Sequence, residues 1–213
     1  MYLALICKDI SRLMDCVRNG ANMEELDANG GTPIMFAVSC GFEDGVSALI
    51  KLGANIDHRD RHGNTAAIYA ISNNRQGCFR KLIEAGANLN IQSNDGHTAL
   101  MVAAKFYPEW IEYMVAAGAD PDLADKFGYT PAMFALGSGN KQGLINLAMS
   151  GANLTATNIH GYTLMDMAST TSVAPMWMPL IAELIFSARE RKILREQIQC
   201  SSGQGDVGHS IRL

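Results

Sequence analysis

Side chains that could do metal or acid–base chemistry are few in this 213-residue chain and do not gather along it. His58 and His62 are four residues apart, the spacing at which two histidines on one helix can bind zinc. They flank a turn, however, so this helical geometry is not available to them. The other histidines are scattered, at His97, His160 and His209. We therefore predict no metal site.

Motifs for covalent or phosphate chemistry are equally weak. No Ser-His-Asp arrangement and no pair of carboxylates on one helical face can be assembled from the sequence. The Gly137-Ser138-Gly139 segment follows a predicted helix, whereas a phosphate-binding loop follows a strand. The five cysteines are an odd number without a C-x-x-C pair, which is typical of reduced thiols in a cytoplasmic protein. We predict a non-enzymatic protein without a cofactor.

The composition also limits the partners. The formal net charge is −4, which argues against general nucleic-acid binding because phosphate contacts need clustered Lys and Arg. No apolar run approaches the roughly 20 residues that cross a bilayer. The apolar segment Met1–Ile6 is too short for a secretory signal and lacks a basic flank. We therefore expect neither nucleic acid nor membrane as a partner.

Two markers recur along most of the chain with one period. A Gly-x-Thr motif begins at Gly30, Gly63, Gly96, Gly128 and Gly161, so its spacings are 33, 33, 32 and 33 residues. A Gly-Ala-Asn/Asp motif begins at Gly20, Gly53, Gly86, Gly118 and Gly151, with the same spacings. Such regular self-similarity predicts an array of stacked structural units.

Four full units share one internal order, over residues 27–59, 60–92, 93–124 and 125–157. Each opens near Asp or Ser and turns at a glycine, and a Thr then caps a short apolar helix by accepting backbone hydrogen bonds. A second, amphipathic helix ends at a glycine in the left-handed cap position. The unit 93–124 is one residue short between its helices, which predicts a tighter turn that re-aims Phe106 and Tyr107.

The two ends depart from this order and predict capping repeats. Residues 1–26 form an N-terminal cap, in which Ile10, Leu13, Met14 and Val17 have the spacing of one core-facing helical stripe. Residues 158–199 form a divergent C-terminal repeat with an insertion at Thr170–Pro179 and an extended helix from about Leu180 to Gln199. Residues 200–213 have the Gly/Ser composition of a flexible tail.

With these motifs in place, the chain resembles the ankyrin repeat family over roughly residues 1–190, in the style of small bacterial members. The resemblance implies an all-α repeat fold: an ankyrin solenoid of helix-turn-helix units joined by β-turn or hairpin loops, with capping repeats at both ends. One departure is systematic, because the family's His after Thr-Pro-Leu is absent. Its places hold Met35, Ile68, Met101, Met133 and Asp166. We infer that these junctions rely on apolar packing by adaptable Met side chains.

The resemblance also implies a concave face, made of the turn tips and the solvent sides of the first helices, that binds another protein. Four aromatic residues, Phe106, Phe127, Tyr129 and Tyr162, map to its exposed side, which favours an interface over the alternative that they pack together and stiffen the turns. Trp110 and Tyr113, on a second helix, are predicted to be core. The candidate partner-binding residues are Arg59, Arg61, His62, His97, Lys105, Phe106, Lys126, Phe127, Tyr129, His160 and Tyr162.

This face is basic in an otherwise acidic chain. It carries Arg59, Arg61, Lys105 and Lys126 against Asp95, which predicts a partner with an acidic patch, although the four cations could equally be only solvated. We expect a protein-binding module, a monomer on its own, that inhibits or sequesters one partner. Its concrete version, by family analogy alone, is a cytosolic immunity or antitoxin protein that neutralises a toxin. The alternative is a scaffold or adaptor that bridges two proteins through the concave face and the C-terminal helix.

Overall fold

The computed structural model is built from antiparallel helix pairs, one pair per repeat, and describes residues 1–170 and 174–202, with side chains of the last helix as far as Arg191. The first helices of the pairs are α1 (Tyr2–Ile6), α3 (Pro33–Cys40), α5 (Ala66–Ser72), α7 (Ala99–Phe106), α9 (Pro131–Gly137) and α11 (Leu164–Ser169). The second helices are α2 (Ile10–Arg18), α4 (Glu43–Lys51), α6 (Gln76–Glu84), α8 (Ile111–Ala116), α10 (Lys141–Met149) and α12 (Ala174–Ser202). This is the all-α repeat fold that the sequence predicts.

The first helices form the central layer of the core. Each packs on the first helix of the next unit, α3 on α5, α5 on α7 and α7 on α9. A helix with neighbours on two sides must be apolar over most of its surface, and in α3 the side chains of Ile34, Met35, Ala37 and Val38 are at most 3% exposed. Met101 and Met133 are also buried. The positions where the family has His are therefore apolar junctions in these units, as the substitution by Met predicts.

The second helices are amphipathic and cover one side of this layer. Helix α6 buries Cys78, Phe79 and Leu82, and the Phe79 ring meets Trp110 edge-on at 5.4 Å between centroids. Trp110 is 6% exposed, so its assignment to the core is confirmed. The prediction for Tyr113 is wrong, because this side chain is 39% exposed. Helix α8 turns Ile111 and Met114 inward and leaves Tyr113 on the outside, against the edge of Trp110.

The turn between α7 and α8 is the one that the missing residue shortens. Other units cross between their helices through a left-handed residue, such as Gly41 (φ +66°), Asn74 (φ +51°) and Gly139 (φ +72°). In the shorter unit a 3-10 turn at Pro108–Trp110 runs directly into α8. Phe106 is left 58% exposed at the end of α7.

The threonine caps predicted for the four full units form in two of them, and the C-terminal repeat has one as well. Thr65, Thr98 and Thr163 each accept a hydrogen bond from the backbone amide three residues on. Thr32 and Thr130 make no such bond, so the prediction is wrong for these two units. Both precede a proline at the first helical position, and proline restricts the backbone of the residue before it.

Both ends of the array differ in detail from expectation. At the N-terminal end, Leu13 is buried and Ile10 is 38% exposed, so only part of the predicted stripe of α2 faces the core. At the C-terminal end, α12 begins at Ala174, before the expected start at Leu180, and contains Pro179.

Helix α12 begins early because its core-facing residues start early. Trp177, Ile181 and Leu184, at i, i+4 and i+7, are buried, and α12 packs on α11 and α10. Residues 200–202, predicted as the start of the tail, belong to α12. The remainder of the predicted tail, residues 203–213, lies outside the described residues, as do residues 171–173 of the predicted insertion.

Candidate functional site

The turns that precede the first helices are held in a row by backbone hydrogen bonds. Within a turn, the Asp125 carboxylate oxygen Oδ1 accepts bonds from the Phe127 and Tyr129 amides at 2.9 and 2.8 Å. Between turns, the Ile159 amide donates to the Phe127 carbonyl oxygen at 3.0 Å. The same pattern recurs in the earlier turns. The turn tips are therefore fixed in position before any partner arrives.

These tips, together with the solvent sides of α3, α5, α7, α9 and α11, are called the inner surface below. Its floor carries one row of half-buried side chains at the repeat spacing, namely Phe36, Tyr69, Val102, Phe134 and Met167. Sequence reasoning missed this row. Each member directly follows a position where the family has His, so the repeat register alone could have located it.

The predicted aromatic residues occupy different environments on this surface. Phe127 is 56% exposed and Tyr162 is 55% exposed, whereas Tyr129 is half-buried and packs against the core. Tyr162 lies near His160, at 6.4 Å between ring centroids, and Phe106 lies near Tyr107, at 6.2 Å. Among the ring pairs of the described residues, none joins Phe127, Tyr129 and Tyr162 to one another.

One groove brings several predicted residues together. It has a volume of about 340 Å³, and Lys105, Phe127 and Tyr129 line it. Phe134 and Met167, two members of the half-buried row, complete its apolar wall. His97 is not among the residues that line the groove, and its ring packs on Phe134 in a T-shaped arrangement at 5.1 Å between centroids.

The predicted cations of the inner surface differ in how freely they can move. Arg61 and Lys126 are exposed, and no side-chain partner is found for either among the described residues. Arg59 is tied to the turns, because its guanidinium donates to the Gly63 carbonyl oxygen at 3.4 Å and to Asn94 Oδ1 at 3.3 Å. The Lys105 ammonium lies 4.9 Å from the centre of the Phe106 ring. His62 and His160 are also exposed at turn tips.

Arg59 and Lys126 line a second recess of about 530 Å³. Asp125 lines both this recess and the groove, so one turn separates them. Its carboxylate is buried, and Oδ2 lies 3.8 Å from His97 Nε2. The exposed acidic residues Glu43, Asp44, Glu84, Glu109 and Glu112 lie on α4, α6, the 3-10 turn and α8.

The two titratable groups with the largest pKa shifts, Tyr69 and Cys78, have structural roles. Burial, together with a hydrogen bond to Asp60 Oδ2 at 2.7 Å, raises the pKa of Tyr69 to about 12. Burial raises the pKa of the Cys78 thiol to about 11, so this thiol stays protonated and unreactive at neutral pH. Within residues 1–170 and 174–202, no three His, Cys, Asp or Glu side chains form a cluster that could hold a metal ion. None of the helices described is both long and apolar enough to span a membrane.

Comparison with known families gives the same repeat architecture as the helix pairs and the hydrogen-bonded turns described above. The profile of a family described as Ankyrin repeats (3 copies) matches residues 1–93 and residues 76–158, which together make up most of the 213-residue chain. The chain belongs to the ankyrin repeat family. Among the curated proteins, no sequence matches the chain. Ankyrin repeats generally mediate protein–protein interaction, and the family is typically a non-enzymatic interaction module.

Proposed function

We propose that this ankyrin protein binds one partner protein through its inner surface and thereby inhibits or sequesters that partner. The observation that carries the proposal is Phe127, an aromatic side chain more than half exposed on a turn whose backbone is already fixed. A rigid exposed aromatic loses little conformational entropy on binding, and such residues dominate interface energetics.

The charge distribution supports a partner with an acidic patch. Arg61 and Lys126 lie exposed on turn tips of the inner surface, which also carries the exposed Asp95, and the acidic residues named above lie on the second helices and on the 3-10 turn before α8. Opposite charges on the partner would speed its encounter with this surface. We therefore expect the affinity to fall when salt is raised, because the Debye length shortens from about 10 Å at 0.1 M to about 3 Å at 1 M. An affinity independent of salt would contradict this electrostatic part of the proposal.

The concrete form of the proposal is a cytoplasmic immunity or antitoxin protein that neutralises a toxin. It is supported by family analogy and by the extent of the repeats, which occupy most of the chain. Once a partner is isolated, its activity should be measured with increasing amounts of this protein. Inhibition that saturates at one molecule per partner is expected, and an unchanged partner activity would refute inhibition without refuting binding.

The test of the binding surface is cross-linking capture from the native host with matched variants. Phe127→Ala should lower partner recovery by at least about tenfold, as expected for an interface hot spot. Tyr113→Ala removes an aromatic residue, 39% exposed, from the outer helix α8 and serves as the control. Circular dichroism and the melting temperature should be nearly unchanged for Phe127→Ala. Equal recovery by both variants would contradict the proposal.

A second candidate function, an adaptor that bridges two proteins, is favoured by one observation on α12. Phe186 is 65% exposed and Met176 is 53% exposed, outside the core-facing stripe of that helix. An adaptor should lose one of two partners on Phe186→Ala and keep the other. An inhibitor that uses only the inner surface should be unaffected by this substitution.

A further inference from the structure

We infer that the groove between α9 and α11 is an anchor site for one aromatic side chain of the partner, next to a carboxylate in the partner's sequence. The inference deepens the proposed function and rests on it. It names the chemistry of the occupant, whereas the proposed function requires only that the partner bind somewhere on the inner surface.

Gly137 lies in the wall of the groove at the end of α9. Counted from the Gly-x-Thr motif, its position is occupied by Ser39, Ser72 and Lys105 in the other full units. Its backbone is not left-handed, and a Cβ atom built on it would meet nothing within 4 Å. Neither backbone geometry nor packing therefore requires glycine there, although glycine is less favourable in helices than alanine. The absence of a side chain leaves the groove open.

The wall of the groove suits an aromatic ring. Phe134 offers a ring, and the half-buried Met167 is a thioether side chain of the kind that makes favourable contacts with aromatic groups. Tyr129 lies at the rim, beside the exposed Phe127. A volume of about 340 Å³ falls at the lower end of the usual range for ligand pockets. One large side chain is therefore the matching occupant.

The rim of the groove carries a positive charge. Lys105 is exposed at the rim of the groove, where it can meet a carboxylate from solution. The acidic group in the groove wall, Asp125, is buried, and its Oδ1 is engaged by two backbone amides. The rim therefore presents a cation to a partner, and an acidic residue adjacent to the aromatic anchor is complementary to it.

The experiment uses three synthetic peptides and the full chain. The peptides are Ac-Gly-Trp-Glu-Gly-NH2, its Gln analogue in place of Glu, and its Ala analogue in place of Trp. Each is titrated into the ¹⁵N-labelled protein, and amide shifts are followed by NMR. The Trp-Glu peptide should shift amides around Gly137, Ser138 and Met167. The Gln analogue should bind about threefold more weakly, the size of one exposed ion pair, and the Ala analogue should cause no localised shifts.

Three variants make the test specific. Gly137→Leu adds a side chain at the groove wall, where its Cβ atom would meet nothing within 4 Å, and should weaken binding of the Trp-Glu peptide by at least about tenfold. Ser72→Leu adds the same side chain at the equivalent, exposed position of the unit 60–92, outside the groove, and should leave binding unchanged. Lys105→Gln should abolish the difference between the Glu and Gln peptides.

Several outcomes would overturn the inference. One is a set of amide shifts spread over the whole surface. Another is equal affinity of Gly137→Leu and the native chain for the Trp-Glu peptide. The third is equal affinity of the native chain for the Glu and Gln peptides. Failure here is distinguishable from failure of the proposed function. If partner capture is lost on Phe127→Ala and retained on Gly137→Leu, the inner surface is the binding site and the groove is not its anchor.

Discussion

The two threonines Thr32 and Thr65 offer a sharp test of the local physics, because the same substitution should change stability in opposite directions. Both are buried, at 0% and 2% exposure. Thr65 Oγ1 accepts a hydrogen bond from the Ile68 amide, whereas Thr32 Oγ1 has no hydrogen-bond partner. Valine has nearly the shape of threonine and lacks the hydroxyl, so it isolates this difference.

The magnitude follows from the hydrogen bonds. Thr65→Val removes a helix cap and should lower the free energy of unfolding by about 1 kcal/mol. Thr32→Val removes a buried unsatisfied hydroxyl and should raise the free energy of unfolding by about 1 kcal/mol. In a chain of this size each change corresponds to a shift of about 2–4 °C in melting temperature.

The assay is urea unfolding followed by circular dichroism, with thermal unfolding as the second measurement. The urea midpoint should be highest for Thr32→Val, intermediate for the native chain and lowest for Thr65→Val. Equal destabilisation by both substitutions would show that Thr32 is satisfied in solution and would refute the reasoning.

Two further predictions concern the turns and the pH dependence. Gly96 has φ +87°, and a Cβ atom there would lie 2.6 Å from the Lys126 amide nitrogen, so Gly96→Ala should lower the free energy of unfolding by at least about 2 kcal/mol. Gly118→Ala is its control, since φ is +97° with no atom within 4 Å. In urea unfolding, Gly118→Ala should lower the free energy of unfolding by less than Gly96→Ala does. Equal losses would show that the contact of Gly96 with the next turn is unimportant. Burial raises the pKa of Asp122, so its charged form is less favourable in the folded chain than in the unfolded chain, and stability is lost as pH rises through the folded pKa. Asparagine keeps the acceptor for the Asn153 amide, which lies 2.6 Å from the Asp122 carboxylate in the native chain. Asp122→Asn should therefore be more stable than the native chain at pH 7 and similar to it at pH 3. A lower urea midpoint for the variant at pH 7 would contradict the prediction.

Much of the fold could be predicted because repetition makes weak local signals strong. The Gly-x-Thr motif occurs five times, and each occurrence marks a turn whose glycine has positive φ, as at Gly63 (+75°) and Gly128 (+77°). The early start of α12 could not be predicted in the same way, because that unit departs from the repeat. The sequence predicts an insertion at Thr170–Pro179, and the burial of Trp177 in the core outweighs the preference of Pro179 against a helix interior.

The candidate site was less predictable, because exposure depends on helix phase and on neighbouring units. Tyr129 and Phe127 are two residues apart on the same turn, yet Tyr129 leans on the core and Phe127 projects from it. Tyr113 is predicted to be core because it lies on a second helix, and the start of α8 at Ile111 turns it outward. The groove depends on the missing side chain of Gly137 beside Met167 of the next unit, a juxtaposition that motif spacing alone does not report.

The central claim, that the inner surface binds the partner, is tested most directly by site-specific photo-cross-linking in the native host. A photo-reactive benzoylphenylalanine replaces Phe127 on the inner surface in one strain and Tyr113 on the outer helix α8 in another. Both native side chains are exposed, so neither replacement should disturb the core. We predict a covalent partner adduct from position 127 and none from position 113. An adduct from position 113 alone would contradict the account.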